Sequence, residues 1–216
     1  MTETIFALPA PAIPILGDTR AFPVGRIFCV GRNYAAHARE MGSDPNREPP
    51  FFFMKPAAAA TLSQTVPYPA DTKDLHHEAE LVLAIGKDKS ILGYAVGVDL
   101  TKRDRQNEAK AASQPWERSK AFPFSAPISP IRTGIAAPAD ARITLSVNGA
   151  AKQDSRTSHM IWNIPEICAR VDQLWGLHPG DLIFTGTPEG VGPLQVGDQV
   201  RVEIETVGVL AFSLGH

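Results

Sequence analysis

The sequence predicts an α+β chain, strand-rich with a few short helices. Apolar and β-branched runs are short, about four to eight residues, and fall between Gly, Pro, Asn and Asp turn signals. Helical patterns are confined to a few windows, and the regular strand-helix alternation of a doubly wound sheet is missing. No internal repeat or low-complexity tract interrupts the chain.

Pro9, Pro11 and Pro14 interrupt the first apolar stretch, so residues 1–22 read as an extended arm ahead of one domain over residues 23–216. Residues 27–30 form a strand that runs into Gly31-Arg32-Asn33. Residues 34–41 carry strong helix formers and stop at Gly42. Prolines bracket Phe51-Phe52-Phe53-Met54-Lys55, a strand of large side chains expected in the core. Residues 81–85 contain no polar member and read as a buried strand, and residues 94–98 form another that ends at Asp99. Residues 101–112 are rich in Lys, Arg, Gln and Ala and are expected to be helical. Residues 143–147 lead into Asn148-Gly149, a strong hairpin signal. A helix over residues 164–174 starts through Pro165. The chain then returns to strands at 181–185, 199–205 and 207–214, with a glycine-rich turn over 186–192.

With 216 residues and 44% hydrophobic content, the chain can bury one full core. A net charge of −2 and the lack of any dense Lys/Arg block argue against nucleic acid and favour a small-molecule partner. Cys29 and Cys168 lie far apart in apolar contexts, which reads as reduced thiols of a cytoplasmic protein. No basic-then-apolar leader is visible and no apolar run approaches about 18 residues, so no membrane association is expected.

The chemistry concentrates at His76-His77-Glu78-Ala79-Glu80, with Asp99 nineteen residues further on. In a strand, Glu78 and Glu80 alternate around Ala79 and share a face, toward which Asp99 can converge. A Glu-x-Glu pair is commonly a solvated face, but this one opens directly into the apolar run 81–85. Three converging carboxylates resist joint ionisation unless a cation joins them. All-oxygen ligation suits Mg²⁺, Mn²⁺ or Ca²⁺, with positions left for water and substrate. His76 shares the face by the same alternation, so a nitrogen-containing site for Zn²⁺ or Fe²⁺ ranks second.

Several segments together resemble the fumarylacetoacetate hydrolase family. They include Cys29-Val30-Gly31-Arg32-Asn33-Tyr34 with His37 and Glu40, Leu75 to Leu81, and Asp99-Leu100-Thr101. Gly93-Tyr94, Arg103-Asp104 with Gln106, Trp116, Ser119-Lys120, Val147-Asn148-Gly149, Met160-Ile161 and Gly180 through Pro188 complete the match. The resemblance implies a mixed β-roll or β-sandwich, a homodimer, and a catalytic domain over 23–216. It implies Mg²⁺ or Mn²⁺ on Glu78, Glu80 and Asp99, with Ca²⁺ as a non-physiological occupant. It further implies that His37 and Glu40 form a water-activating dyad on a lid helix, that Lys120 is catalytic, and that Arg103, Gln106 and Thr187 contact the oxo-acid. Helical spacing suits the dyad, since residues three apart are neighbours.

The activity so implied is metal-dependent hydrolysis of a carbon–carbon bond in a 2,4-dioxo acid, with fumarylpyruvate cleaved to fumarate and pyruvate as the leading expectation. Acylpyruvases, oxaloacetate decarboxylases and related oxo-acid isomerases share most of these motifs. A non-catalytic metal-binding β-rich module is the reading from another class, and the presence of His37, Glu40 and Lys120 beside the acidic triad speaks against it. The chain departs from the family between Lys87 and Gly93, where a short stretch replaces a typically longer one containing a helix.

Overall fold

The computed structural model describes residue 5 and residues 11–40 and 49–216, the side chains of 38–40 excepted. A mixed six-stranded sheet is ordered Arg132–Thr133, Ile91–Val98, Ala79–Ile85, Leu182–Phe184, Ile27–Gly31, Phe51–Lys55. Leu182–Phe184 runs parallel to Ile27–Gly31 and antiparallel to Ala79–Ile85. A five-stranded sheet, ordered Ala150–Arg156, Arg142–Val147, Gln199–Ile204, Gly208–Gly215, Thr65–Pro67, packs against it. The result is the strand-rich, mixed-sheet architecture with few short helices that the sequence predicts.

Every residue of Ala79–Ile85 is buried, and the period of two sorts them between two cores. Leu81, Leu83 and Ile85 join Leu145, Val202 and Phe212 of the five-stranded sheet. Val82 and Ala84 join Ile13, Phe22 and Val24 instead. These last come from the lead segment, where Ala12–Pro14 pairs antiparallel with Ala21–Pro23 and places Ile13 opposite Phe22. Both faces are therefore covered, which is why the strand tolerates no polar residue beyond Glu80.

Local chemistry fixes several boundaries. Asn148 and Gly149 both have positive φ, 52° and 80°, as a two-residue type I′ turn requires. The helix Ile164–Trp175 opens with a reciprocal cap, in which Glu166 N–H donates to Asn163 Oδ1 and Asn163 N–H donates to Glu166 Oε2. The short stretch after Lys87 closes as a tight turn, with Gly86 N–H donating to Ser90 O at 2.8 Å, so Ile91–Val98 starts earlier than its apolar run suggests.

Two expectations need correction. Phe51–Lys55 is an edge strand and not a core one: Phe51 is 43% and Met54 40% exposed, while Lys55 is 2% exposed. Apolar bulk records strand propensity but not which strand receives a second neighbour. The helix expected over 101–112 starts at Arg103, because Thr101–Lys102 pairs with Leu75–His77 as a short strand. Cys29 and Cys168 are free thiols, and among the described residues no helix is long and apolar enough to cross a membrane.

Candidate active site

The carboxylates converge where two strands lose their regular pairing. Ala79 lies opposite Val98, and the next step outward puts Glu78 beside Asp99, whose N–H donates to Glu78 O at 2.8 Å. Glu78 occupies the break between Leu75–His77 and Ala79–Ile85, so its direction comes from that break more than from strict alternation. Carboxylate oxygens of Glu78, Glu80 and Asp99 lie within 4.8 Å of one another, and all three residues are buried.

Protein cations compensate two of the three acids. Lys120 Nζ donates to Glu78 Oε2 at 2.8 Å, to Asp99 Oδ2 at 2.6 Å and to Thr101 Oγ1 at 2.5 Å. Arg103 Nη2 donates to the other Glu78 oxygen at 2.5 Å, and Lys55 Nζ lies 2.8 Å from Asp99 Oδ1. Burial opposes ionisation of Glu78, but the charges of Lys120 and Arg103 outweigh it and hold this carboxyl well below its usual range. Glu80 is the reverse case. Burial, then the charges of Asp99 and Glu78, push its carboxyl well above the usual range, against the bond from Gly186 N–H to Oε2 at 2.7 Å and the weaker pull of the Lys120 charge. That bond needs a glycine: residue 186 has φ +94°, and a Cβ there would meet Asn33 Cβ at 2.7 Å.

A divalent cation fits this donor set. The donors are hard oxygens, Glu80 makes no ion pair with a protein cation among the described residues, and Asp99 Oδ1, though in ion-pair contact with Lys55, accepts no aligned hydrogen bond there. His76 is not part of the cluster. Its Nε2 meets Asp74 Oδ1 at 2.9 Å and its Nδ1 accepts from Arg103 Nε at 3.5 Å, so it turns toward Asp74 and Arg103 and away from the acids.

One cavity gathers His37, Arg103, Gln106, Lys120 and Thr187 around the three acids. Arg103 and Gln106 sit on one face of the helix Arg103–Ala111, three residues apart, and Arg103 Nη1 donates to Gln106 Oε1 at 2.5 Å. Lys120 ends the short helix Glu117–Lys120. His37 is 6% exposed on the helix Ala35–Glu40. The Glu40 side chain, with Met41 and Gly42, lies outside the described residues.

Sequence reasoning missed three contributors. Lys55 is the lone charge of an aromatic strand, a signal the composition carries. Asn33 is a buried hub whose Nδ2 donates to Trp162 O and Thr185 O, while its Oδ1 accepts from Trp162 N–H. Gln153, 1% exposed, accepts from Ala79 N–H and donates to Thr187 Oγ1 and Pro188 O. The strand Ala150–Arg156 is polar in both phases, so nothing in its pattern marks Gln153.

Residues 26–214 match the family model for the fumarylacetoacetate (FAA) hydrolase C-terminal region. The fold is similar to the crystal structure of fumarylpyruvate hydrolase from Pseudomonas aeruginosa in complex with Mn²⁺ and pyruvate, with TM-score 0.96, 42% identity and 99% coverage of each chain. The sequence is 41% identical over 197 residues to the oxaloacetate tautomerase YcgM of Escherichia coli, covering 85% of this chain and 90% of that protein. It is 39% identical over 193 residues to the mitochondrial oxaloacetate decarboxylase of Dictyostelium discoideum, covering 83% of this chain and 88% of that protein.

Proposed function

The chain belongs to the fumarylacetoacetate hydrolase family, and from that premise we propose that it hydrolyses a carbon–carbon bond in a 2,4-dioxo acid, fumarylpyruvate being the leading substrate. The observation that carries this reading is His37 in the wall of the cavity that holds the acidic triad. A hydrolase needs a base for water, and decarboxylation or tautomerisation of oxaloacetate does not need that water.

Glu78, Glu80 and Asp99 hold the metal in this reading, with Mn²⁺ or Mg²⁺ as the occupant. The bound ion supplies Lewis-acid polarisation of the oxo-acid oxygens. Arg103, Gln106 and Thr187 orient the substrate's carboxylate end. His37, oriented by Glu40, takes a proton from water as its oxygen adds to the distal carbonyl carbon. The bond between C3 and C4 then breaks, its electron pair passes to the three-carbon fragment, and protonation yields pyruvate while the acyl fragment leaves as fumarate. Lys120 places a fixed positive charge beside the electron-rich fragment. In this reading the substrate would come from gentisate-type aromatic breakdown.

The second reading, an oxaloacetate tautomerase or decarboxylase, is favoured by the sequence relatives of those names. Pyruvate release from fumarylpyruvate and from oxaloacetate, together with enol-to-keto conversion of oxaloacetate followed by absorbance, assayed with Mn²⁺, with Mg²⁺ and with chelator, separates the two. Release from oxaloacetate alone rejects the hydrolase. The reading includes a homodimer, supported by the exposed Phe51 and Met54 on a strand whose outer side is unpaired among the described residues. Light scattering at the monomer mass rejects that part.

A further inference from the structure

Gln153 stands behind the cavity wall, on a different sheet from the acids, and its amide joins two parts of the site. Its orientation is settled by backbone partners whose polarity cannot change. Ala79 N–H donates to Oε1 at 3.1 Å, and Nε2 donates to Pro188 O at 2.9 Å. His77 Nδ1, 3.2 Å from the same Oε1, must therefore also be a donor. The second hydrogen on Nε2 points at Thr187 Oγ1, 2.9 Å away, which is the hydrogen bond that oxygen makes among the described residues.

A hydroxyl carries one proton, and an oxygen already accepting from Gln153 directs that proton elsewhere. Thr187 is 2% exposed and lines the cavity. We propose that Gln153 is a positioning residue that fixes Thr187 as a hydrogen-bond donor into the cavity, aimed at a carboxylate oxygen of the oxo-acid substrate. The assignment rests on the oxo-acid reading of the site given above. Proton order then runs one way, from Ala79 and His77 through Gln153 to Thr187 and the ligand. An ionised carboxylate only accepts, so a threonine presenting its lone pairs would repel it. Because the amide also grips Ala79, between Glu78 and Glu80, the donor is held in register with the acidic triad.

The test is a double-variant cycle read by Mn²⁺ titration, and by pyruvate titration at saturating Mn²⁺, on the whole protein. In Gln153→Glu the side chain has at most one proton, which goes to Pro188 O, so Thr187 must turn its own hydrogen back toward the protein. Pyruvate affinity should fall by about tenfold or more, the order of one hydrogen bond to a charged group, with Mn²⁺ affinity unchanged. Thr187→Val should give a similar loss, and the double variant should be no weaker than Thr187→Val. If Gln153→Glu does not fold, Gln153→Met enters the same cycle, with a smaller loss that Thr187→Val again absorbs. Losses that add, or that appear in Mn²⁺ affinity, overturn the proposal and leave Gln153 a strand tie. If the wild type binds Mn²⁺ but not pyruvate, the oxo-acid reading itself fails and this assignment falls with it.

Discussion

The acidic side of the cavity rests on backbone register, whereas the His37 side rests on the six-residue helix Ala35–Glu40. Glu78, Glu80 and Asp99 are set by the Ala79–Val98 pairing, the Asp99 N–H to Glu78 O bond and the Gly186 N–H to Glu80 bond. A helix of under about two turns draws its stability from what it packs against. Here the anchor is at its start, where Asn33 ties the chain to Trp162 and Thr185 and Tyr34 bridges to Met160. The contrast separates binding from proton transfer. Damage to the register side should appear as lost metal, and damage to the helix side as lost rate with metal intact.

Glu80→Ala attacks the register side at the acid with least compensation and should have the largest effect. Mn²⁺ and Mg²⁺ binding by calorimetry should vanish and activity with it, while the fold persists. Unchanged metal affinity would remove Glu80 from the ligand set. The metal-free wild type adds a pH signature. Its raised Glu80 pKa means that the folded state holds more protons than the unfolded state above the ordinary value near 4.5. Stability without metal should therefore decline as pH rises from that value, and Glu80→Gln should flatten the decline in thermal melts.

His37→Ala attacks the other side. Fumarylpyruvate hydrolysis should fall by about 10²–10⁴-fold, the usual range for a general base, with metal affinity close to wild type. A wild-type rate in that variant makes the helix a structural element and moves the oxaloacetate readings ahead. Lys120→Ala bridges the two sides, since its ammonium touches Glu78 and Asp99 and lines the cavity that also holds His37. Both hydrolysis and any decarboxylation should drop by about 10²-fold or more, because each generates an electron-rich three-carbon fragment. Activity equal to wild type on both substrates rejects the role.

What was legible in the sequence follows the same division. Glu78, Glu80 and Asp99 could be read because their spacing and their apolar neighbour 81–85 are local facts. The composition of Thr101 and Lys102 is helical, while their strand pairing with His76 and Leu75 is not written in their own neighbourhood. Lys55 is not legible locally because its burial depends on Asp99 and Lys120, forty-four and sixty-five residues away. Gln153 was invisible for a similar reason: its partners at 77, 79, 187 and 188 are distant in sequence, and a lone amide has no period. His37 and Glu40 were found through resemblance, and helical spacing alone supports their proximity without assigning them a reaction.

Gly186→Ala should have the smallest effect of the series and tests whether the register side is as rigid as its bonds imply. At φ +94° an alanine is strained, and its Cβ would press on Asn33 Cβ at 2.7 Å and Val30 O at 3.0 Å. Backbone strain of this kind costs on the order of 1–3 kcal/mol, visible as a lowered melting temperature. Relief requires residue 186 to shift, and its N–H is the donor to Glu80 Oε2. Metal affinity should therefore weaken by a modest factor, about three- to tenfold, because a reoriented carboxylate meets the ion less well. Asn33 anchors the start of the His37 helix as well, so the same push reaches the other side of the cavity. If metal affinity weakens while the rate at saturating metal stays unchanged, the two sides are mechanically separate. A fall in that rate as large as the loss in affinity shows that Asn33 couples them.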